Sequence, residues 1–259
     1  MNNLVLSFNS KKIKKIKNPK FILGGKGANL SEMKDLGLPV PPGFIISTEV
    51  CDLFYKNKKK LPKKIFKKIL LELKNIEKLT NKKFGNFQNP LLVSIRSGAR
   101  ISMPGMMDTI LNLGLNDQTV KTLTKKTLNG RFAKDSYRRF IQMYSNVVLN
   151  IEGHLFEGMI DSQKLNKGVL LDTELEEADW DELIQRFKEL VKKKTKKNFP
   201  QNVQDQLYGA ISAVFLSWDS QRAKTYRKLN QIPDHWGTAV SVQSMVFGNM
   251  GKDCSTGVV

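Results

Sequence analysis

The chain has 259 residues, 40% of them hydrophobic, and carries 43 Lys and Arg against 24 Asp and Glu for a formal net charge of +19. That length buries a sizeable core without covalent staples, and the only cysteines, Cys51 and Cys254, have no second Cys or His nearby at metal-ligand spacing, so neither a disulfide framework nor a zinc site is expected. No run of about 20 apolar residues is available to span a bilayer, and no charged segment followed by an apolar stretch and a cleavage site opens the chain, which predicts a cytosolic protein.

Residues 4–8 and 20–23 are short apolar segments joined by a lysine-rich, exposed connection. Gly24-Gly25-Lys26-Gly27 then leads into a helix with Leu30, Met33 and Leu36 on one face, closed by Gly37. Pro39 to Gly43 break the chain, residues 44–47 read as a strand, and Thr48 with Glu49 begins another helix. From 62 to 79, Ile65, Phe66, Ile69, Leu70, Leu73 and Ile76 recur at three and four, which predicts a strongly amphipathic helix. After Asn89-Pro90, residues 91–95 form a buried strand ending at Arg96-Ser97-Gly98, followed by a flexible loop over 102–109. The middle of the chain is helical, with Tyr137, Phe140, Ile141, Tyr144, Val147 and Val148 sharing a face, and a charged helix over 179–197. A single long helix is expected over 202–229, and after Pro233 a strand over 238–247. There are no internal repeats.

Eight of the 43 cationic residues are Arg, and the lysines sit in runs over 11–20, 56–68 and 192–197. So basic a chain attracts phosphate-rich partners, nucleic acid among them. Few aromatics interleave with the lysines as stacking platforms would require, so these runs read as solvated faces and not as a nucleic-acid surface. Each Arg is then informative, because only its planar fork pairs two oxygens of a phosphate or carboxylate. None precedes Arg96.

A glycine-rich turn at a helix start offers backbone N–H groups and a favourable dipole to a phosphate, with Lys26 adding a point charge. The spacing is not that of a P-loop, and a plain strand-to-helix turn with an exposed Lys is the competing reading. Arg96, delivered by a buried strand beside a glycine, is placed to clamp polyphosphate oxygens, or else to make a structural ion pair. The loop carrying Ser102, Met103, Pro104, Gly105, Met106, Met107, Asp108 and Thr109 reads as a phosphate lid or as a methionine-rich plug on the core. His154 and His235 lack any partner for a nucleophile relay, so no catalytic residue is assigned. The acidic cluster Glu176, Glu177, Asp179, Asp181 and Glu182 fits charge bias at a helix N-terminus better than a metal site.

These pieces together resemble one family. Leu23-Gly24-Gly25-Lys26-Gly27-Ala28-Asn29-Leu30, Leu38-Pro39-Val40-Pro41-Pro42-Gly43-Phe44, Val93-Ser94-Ile95-Arg96-Ser97-Gly98-Ala99, the loop 102–109 with Leu111-Asn112-Leu113-Gly114-Leu115, and the segments 236–240 and 245–251 are similar, in the same order, to pyruvate phosphate dikinases. The methionine-rich loop followed by Asn-Leu-Gly-Leu distinguishes them from the related phosphoenolpyruvate synthases. The resemblance implies an α+β fold of the ATP-grasp type with an inserted all-helical subdomain and an incomplete third subdomain: 1–115 as the first subdomain, 116–200 as the helical insertion, 201–240 as a helix returning to the first subdomain, and 241–259 as the start of the third. It implies an enzyme that converts ATP, phosphate and pyruvate to AMP, diphosphate and phosphoenolpyruvate. Lys26 and Arg96 fall on the family's ATP-binding positions, Ser102, Gly105, Met107, Asp108 and Thr109 on a phosphate lid, and Gln243, Met245 and Val246 on a strand along the adenine.

The same resemblance places several parts outside these 259 residues. They are the acidic and amide ligands of magnesium with a further phosphate-binding Arg, the phosphocarrier histidine, the pyruvate site and the domain through which the family homodimerises. Without magnesium to bridge the phosphates, transfer loses most of its charge stabilisation, so activity of this chain alone is not expected, and no metal ligand is assigned within it. The alternative expectation is a non-catalytic basic binding module or the remnant of a decaying gene.

Overall fold

Strand residues alternate between two faces of a sheet, and in this chain the two faces differ sharply in polarity. The computed structural model describes residues 4–251 and 253–257. Along the chain, β1 (Val5–Ser7) leads to α1 (Pro19–Asp35), β2 (Gly43–Ile46), α2 (Thr48–Lys56) and α3 (Lys63–Thr80). The short β3 (Lys83–Phe84) and β4 (Pro90–Leu91) precede β5 (Val93–Gly98) and β6 (Thr109–Leu113). Four helices follow, α4 (Thr119–Thr127), α5 (Gly130–Val147), α6 (Gly153–Lys167) and α7 (Glu177–Thr195). The chain then returns through α8 (Val203–Ser217) and α9 (Gln221–Leu229) to β7 (Ala239–Ser244).

The main sheet is antiparallel throughout, in the order β1-β2-β7-β5-β6. The C-terminal strand β7 is its centre, with Val242 opposite both Phe44 and Ile95. One face carries Phe44, Ile46, Val93, Ile95, Val240 and Val242, all fully buried, and packs on α3 and α8. The helical layer shares this core, because Phe140, Phe156, Trp180 and Phe187 belong to the same apolar cluster. The region 116–200 is helical with one short 3-10 turn, and no strand falls in it among the described residues.

The opposite face is apolar only where α1 covers it, with Leu23 and Ala28 against Leu6, Ile45 and Ala239. Beyond α1 the paired residues are polar: Ser94 lies opposite Gln243, and Arg96 lies opposite both Ser241 and Thr109.

Four expectations need correction. Residues 20–23 are the first turn of α1, started by Pro19 at N1, so Gly24 joins two helical segments and not a strand to a helix; its φ of 68° and ψ of 167° make the kink. The helix expected over 202–229 is two. Asn202 caps α8 by accepting from Gln204 N at 2.8 Å, and Ser220 caps α9 by accepting from Ala223 N. Thr109 opens a strand, β6, and does not end a loop. The strand expected to reach 247 stops at Ser244, after which Met245 N–H donates to Leu92 O at 2.9 Å.

Gly24 is placed by a backbone contact that tolerates no side chain: a Cβ there would lie 1.7 Å from Gly98 O. Gly37 also has positive φ, 82°, but faces open space. Gly37→Ala is expected to cost about 1–2 kcal/mol, the price of the left-handed conformation alone, whereas Gly24→Ala adds a steric overlap and is expected to cost about 4 kcal/mol or more. Urea unfolding of the two variants checks the difference, and equal losses would contradict it.

Candidate nucleotide site

Gly24 and Gly98 bring two chain segments together, and the cavity lies where they meet. Gly25 N–H donates to Ala99 O at 2.8 Å, so the second segment of α1 starts beside the end of β5. A cavity of about 620 Å³ opens there, walled by Gly25, Lys26 and Asn29 from α1 and by residues of the 99–109 loop. The first turn of this helical segment turns its positive dipole end toward the opening.

The cations of the wall are Lys20, Lys26 and Arg100, and no carboxylate lines it. None of the three makes an ion pair among the described residues. Partial desolvation by the walls, and then repulsion from Arg96, push the Lys26 ammonium below the ordinary lysine range. Arg96 is therefore close enough to be felt, although it stands on the open sheet face beside the cavity and does not line it. It is exposed in the middle of an otherwise buried strand, and like Lys26 has no acidic partner among the described residues. Opposite it, Ser241 is 1% exposed with an Oγ that meets no hydrogen-bond partner.

The loop expected to act as a lid divides its residues between two tasks. Ser102, Gly105, Met107 and Thr109 line the cavity. Met103 is 7% exposed and buried with Trp218, Ala223 and Ile232, with Met106 and Met107 packed against them, so the methionines also plug a small apolar cluster under α9. Asp108 turns away to Arg222, which pairs with its carboxylate and donates from Nε to Met106 O at 3.2 Å. Burial pushes the Asp108 carboxyl up, against the pull of Arg222. Arg222 falls within the stretch 202–229, which the sequence presents as one helix, and the Ser220 cap that starts α9 gives no Gly or Pro signal.

The residues expected along the adenine are not gathered at this cavity. Gln243 is buried on the open face with its amide donating to Pro41 O at 3.2 Å, Met245 packs on the main core, and Val246 is 72% exposed beyond the end of β7. Arg100, by contrast, was missed, because its neighbours in space, Phe21 and Trp236, are remote in the chain. The acidic cluster at 176–182 serves α7 and its neighbours: Asp179 accepts from Glu176 N at 3.0 Å and pairs with Lys167 at 3.0 Å, and Asp181 pairs with Lys134. Both histidines are exposed. Among the described residues no group of three His, Cys, Asp or Glu converges, and no helix is long and apolar enough to cross a membrane.

In this mixed α/β protein the sheet end meets a helix start at a cavity with three cations and no carboxylate, an arrangement that favours anions. The match to known proteins narrows this. The family model of the pyruvate phosphate dikinase AMP/ATP-binding domain matches residues 20–84 and 57–259, and the chain belongs to that family. It is similar to pyruvate, phosphate dikinases of Clostridium symbiosum, 54% identical over 92% of the chain, and of Rhizobium meliloti, 50% identical over 91%. It is also similar to pyruvate, phosphate dikinase 2 of Zea mays, 47% identical over 98% of the chain. The chain spans 27%, 26% and 29% of the length of these relatives, about a quarter.

Two outcomes follow from the geometry. A lysine whose pKa is lowered binds polyphosphate in its protonated form, below that pKa. Affinity for inorganic tripolyphosphate is therefore expected to fall, as pH rises, before the ordinary lysine range is reached, and this early fall is expected to be absent in Lys26→Arg; calorimetry of both proteins across alkaline pH checks it. Arg222→Ala frees Asp108 and Met106, so amide exchange over 102–108 is expected to quicken while that of β5 does not change. Unchanged protection would show that the ion pair does not hold the loop.

Proposed function

We propose that this chain is the phosphate-gripping part of an ATP site of the ATP-grasp type, in a protein that interconverts ATP, phosphate and pyruvate with AMP, diphosphate and phosphoenolpyruvate. The observation that carries the reading is the cavity with three cations and no carboxylate at the N-terminal end of a helical segment, with Arg96 beside it. In this reading Lys26 and Arg96 neutralise and orient the polyphosphate. Phosphoryl transfer asks a protein for positioning and electrostatics more than covalent help. Ser102, Gly105, Met107 and Thr109 cover the phosphates, and Asp108 serves the loop and not the ligand. The adenine extends along the open sheet face toward Gln243, Met245 and Val246, where the pairing of Ser94 with Gln243 continues the polar row from Arg96. The stretches 1–115, 116–200, 201–240 and 241–259 are the proposed divisions of the fold, with β7 spanning the boundary between the last two.

Magnesium, which bridges phosphates in such reactions, finds no suitable donors here: the cavity offers amides, hydroxyls and cations, and a small divalent ion is held by carboxylates. These residues grip phosphate without it.

Calorimetry tests the reading. ATP and tripolyphosphate are expected to bind with dissociation constants weaker than about 1 μM, adenosine far more weakly than either, and ATP free of magnesium at least as well as the magnesium complex. Arg96→Ala is expected to reduce ATP affinity by about tenfold or more, the loss of a charge-assisted pair of hydrogen bonds. Adenosine binding as tightly as ATP, or an Arg96→Ala variant with unchanged affinity, would overturn it.

A further inference from the structure

Arg100 is the cation of the cavity wall whose own surroundings are the least ordinary. Its guanidinium lies over the ring of Phe21, 4.8 Å from the centroid, and over that of Trp236, 5.1 Å from the centroid. Its Nε is buried and meets no hydrogen-bond partner. Among the described residues the side chain has neither an ion pair nor a hydrogen bond, although it comes from the strand-end segment that anchors α1. A guanidinium engages aromatic rings through its face and keeps its in-plane N–H donors, so two rings hold the group flat without consuming its hydrogen-bonding edge.

Both rings are themselves held. Phe21 sits in the first turn of α1, and its carbonyl accepts from Thr48 Oγ1 at 2.9 Å. Phe21 itself stays 48% exposed, beside Arg100 of the cavity's wall. Trp236 ends a 3-10 turn, Asp234–Trp236, tied down from below: Arg227, 2% exposed, donates from Nε to Asp234 Oδ1 at 2.7 Å, and Trp218 Nε1 donates to Asp234 O at 3.0 Å. The buried Arg227 thus uses its fork within the fold, and the result is a rigid aromatic seat for Arg100.

We propose that Arg100 is a third phosphate-binding side chain of this site, a guanidinium fork presented to an anionic phosphate oxygen by Phe21 and Trp236. The proposal rests on the reading of the cavity as a polyphosphate site and goes beyond the pair Lys26 and Arg96. Partial burial of the cation works in the same direction, since it costs free energy in the absence of a counter-charge and a bound anion supplies one. Lys26 contributes a point charge, whereas Arg100 fixes the direction of approach, because its donors lie in one plane.

Titration with inorganic tripolyphosphate, followed by calorimetry, separates this proposal from the reading beneath it. The wild-type chain is expected to bind. Arg100→Ala is expected to lose about tenfold to a hundredfold in affinity, the range for removing charge-assisted hydrogen bonds. Arg100→Lys keeps the charge and the stem, and is expected to recover only part of that loss; it also serves where Arg100→Ala perturbs folding. Phe21→Leu, which leaves every charge in place, is expected to weaken binding by a few-fold because the fork is no longer held. Lys193→Ala, on an exposed part of α7, removes one charge at a distance and is expected to change little. A wild-type chain that does not bind tripolyphosphate would overturn the site and the proposal together. Wild-type binding that Arg96→Ala weakens, and that Arg100→Ala weakens no more than Lys193→Ala, would leave the site standing and remove Arg100 from it.

Discussion

The site depends on two glycines that touch through their backbones. Gly24 can adopt its positive φ and approach the Gly98 carbonyl only because it carries no side chain in the gap; the Gly25 N–H bond to Ala99 O locks the contact. This one approach fixes the start of a helical segment, the end of β5 and the root of the 99–109 loop within a single small volume. Each then brings a different group: Lys26 from the helix, Arg96 from the strand, Arg100 from the loop root. Gly27, about one turn on, lets α1 lie close to β2, since a Cβ there would sit 3.0 Å from the Ile45 side chain, which would have to give way.

Several buried and half-buried cations elsewhere in the molecule have carboxylate partners, and those of the cavity do not. Arg138 pairs with Asp135, Arg227 with Asp234, Arg222 with Asp108, and Lys188 with Asp117. Carboxylates are scarce in this chain, yet these four cations each have one, and the cavity wall has none. Long-range attraction between surface lysines and a polyanion fades within about 10 Å at ordinary salt. On the proposed reading, the partly desolvated Lys26 and Arg100 are the cations that can discriminate a phosphate from bulk counterions.

What was legible in the sequence followed from local rules, and what was not followed from contacts between distant segments. The helix over 62–79 is α3 because Ile65, Ile69, Leu73 and Ile76 form a stripe that no other structure would bury. Arg96 stood out because an Arg in a lysine-rich chain, next to a glycine at the end of an apolar run, has few local explanations. The division at Ser220 was hidden, since a serine cap inside a continuing apolar pattern looks like any polar helix position. β6 was hidden because Thr109 closes a loop motif and opens a strand at once. Asp108 pointed toward phosphate chemistry by its position in the loop, but the partner that claims it, Arg222, lies on α9, far along the chain. Arg100 was invisible for the same reason. Nothing in the order Arg-Ser-Gly-Ala-Arg tells that Phe21 and Trp236 will meet over its guanidinium.

The methionine-rich loop joins these two kinds of information. Read locally, its Pro, Gly and polar residues suggest a cover over phosphates, while its methionines suggest a plug. Both descriptions apply, because the loop lines the cavity while Met103, itself part of that lining, packs with Trp218, Ala223 and Ile232 beneath α9. The Arg222 pair then does what neither the apolar contacts nor the glycine does: it takes the loop's one carboxylate out of the cavity. Were Asp108 turned inward, it would neutralise one of the three cations of the wall and repel the ligand they attract. Holding it on α9 keeps the wall uniformly positive while the flexible methionines let the loop shift without losing its anchor. The latch and the charge of the site are, in that sense, one arrangement.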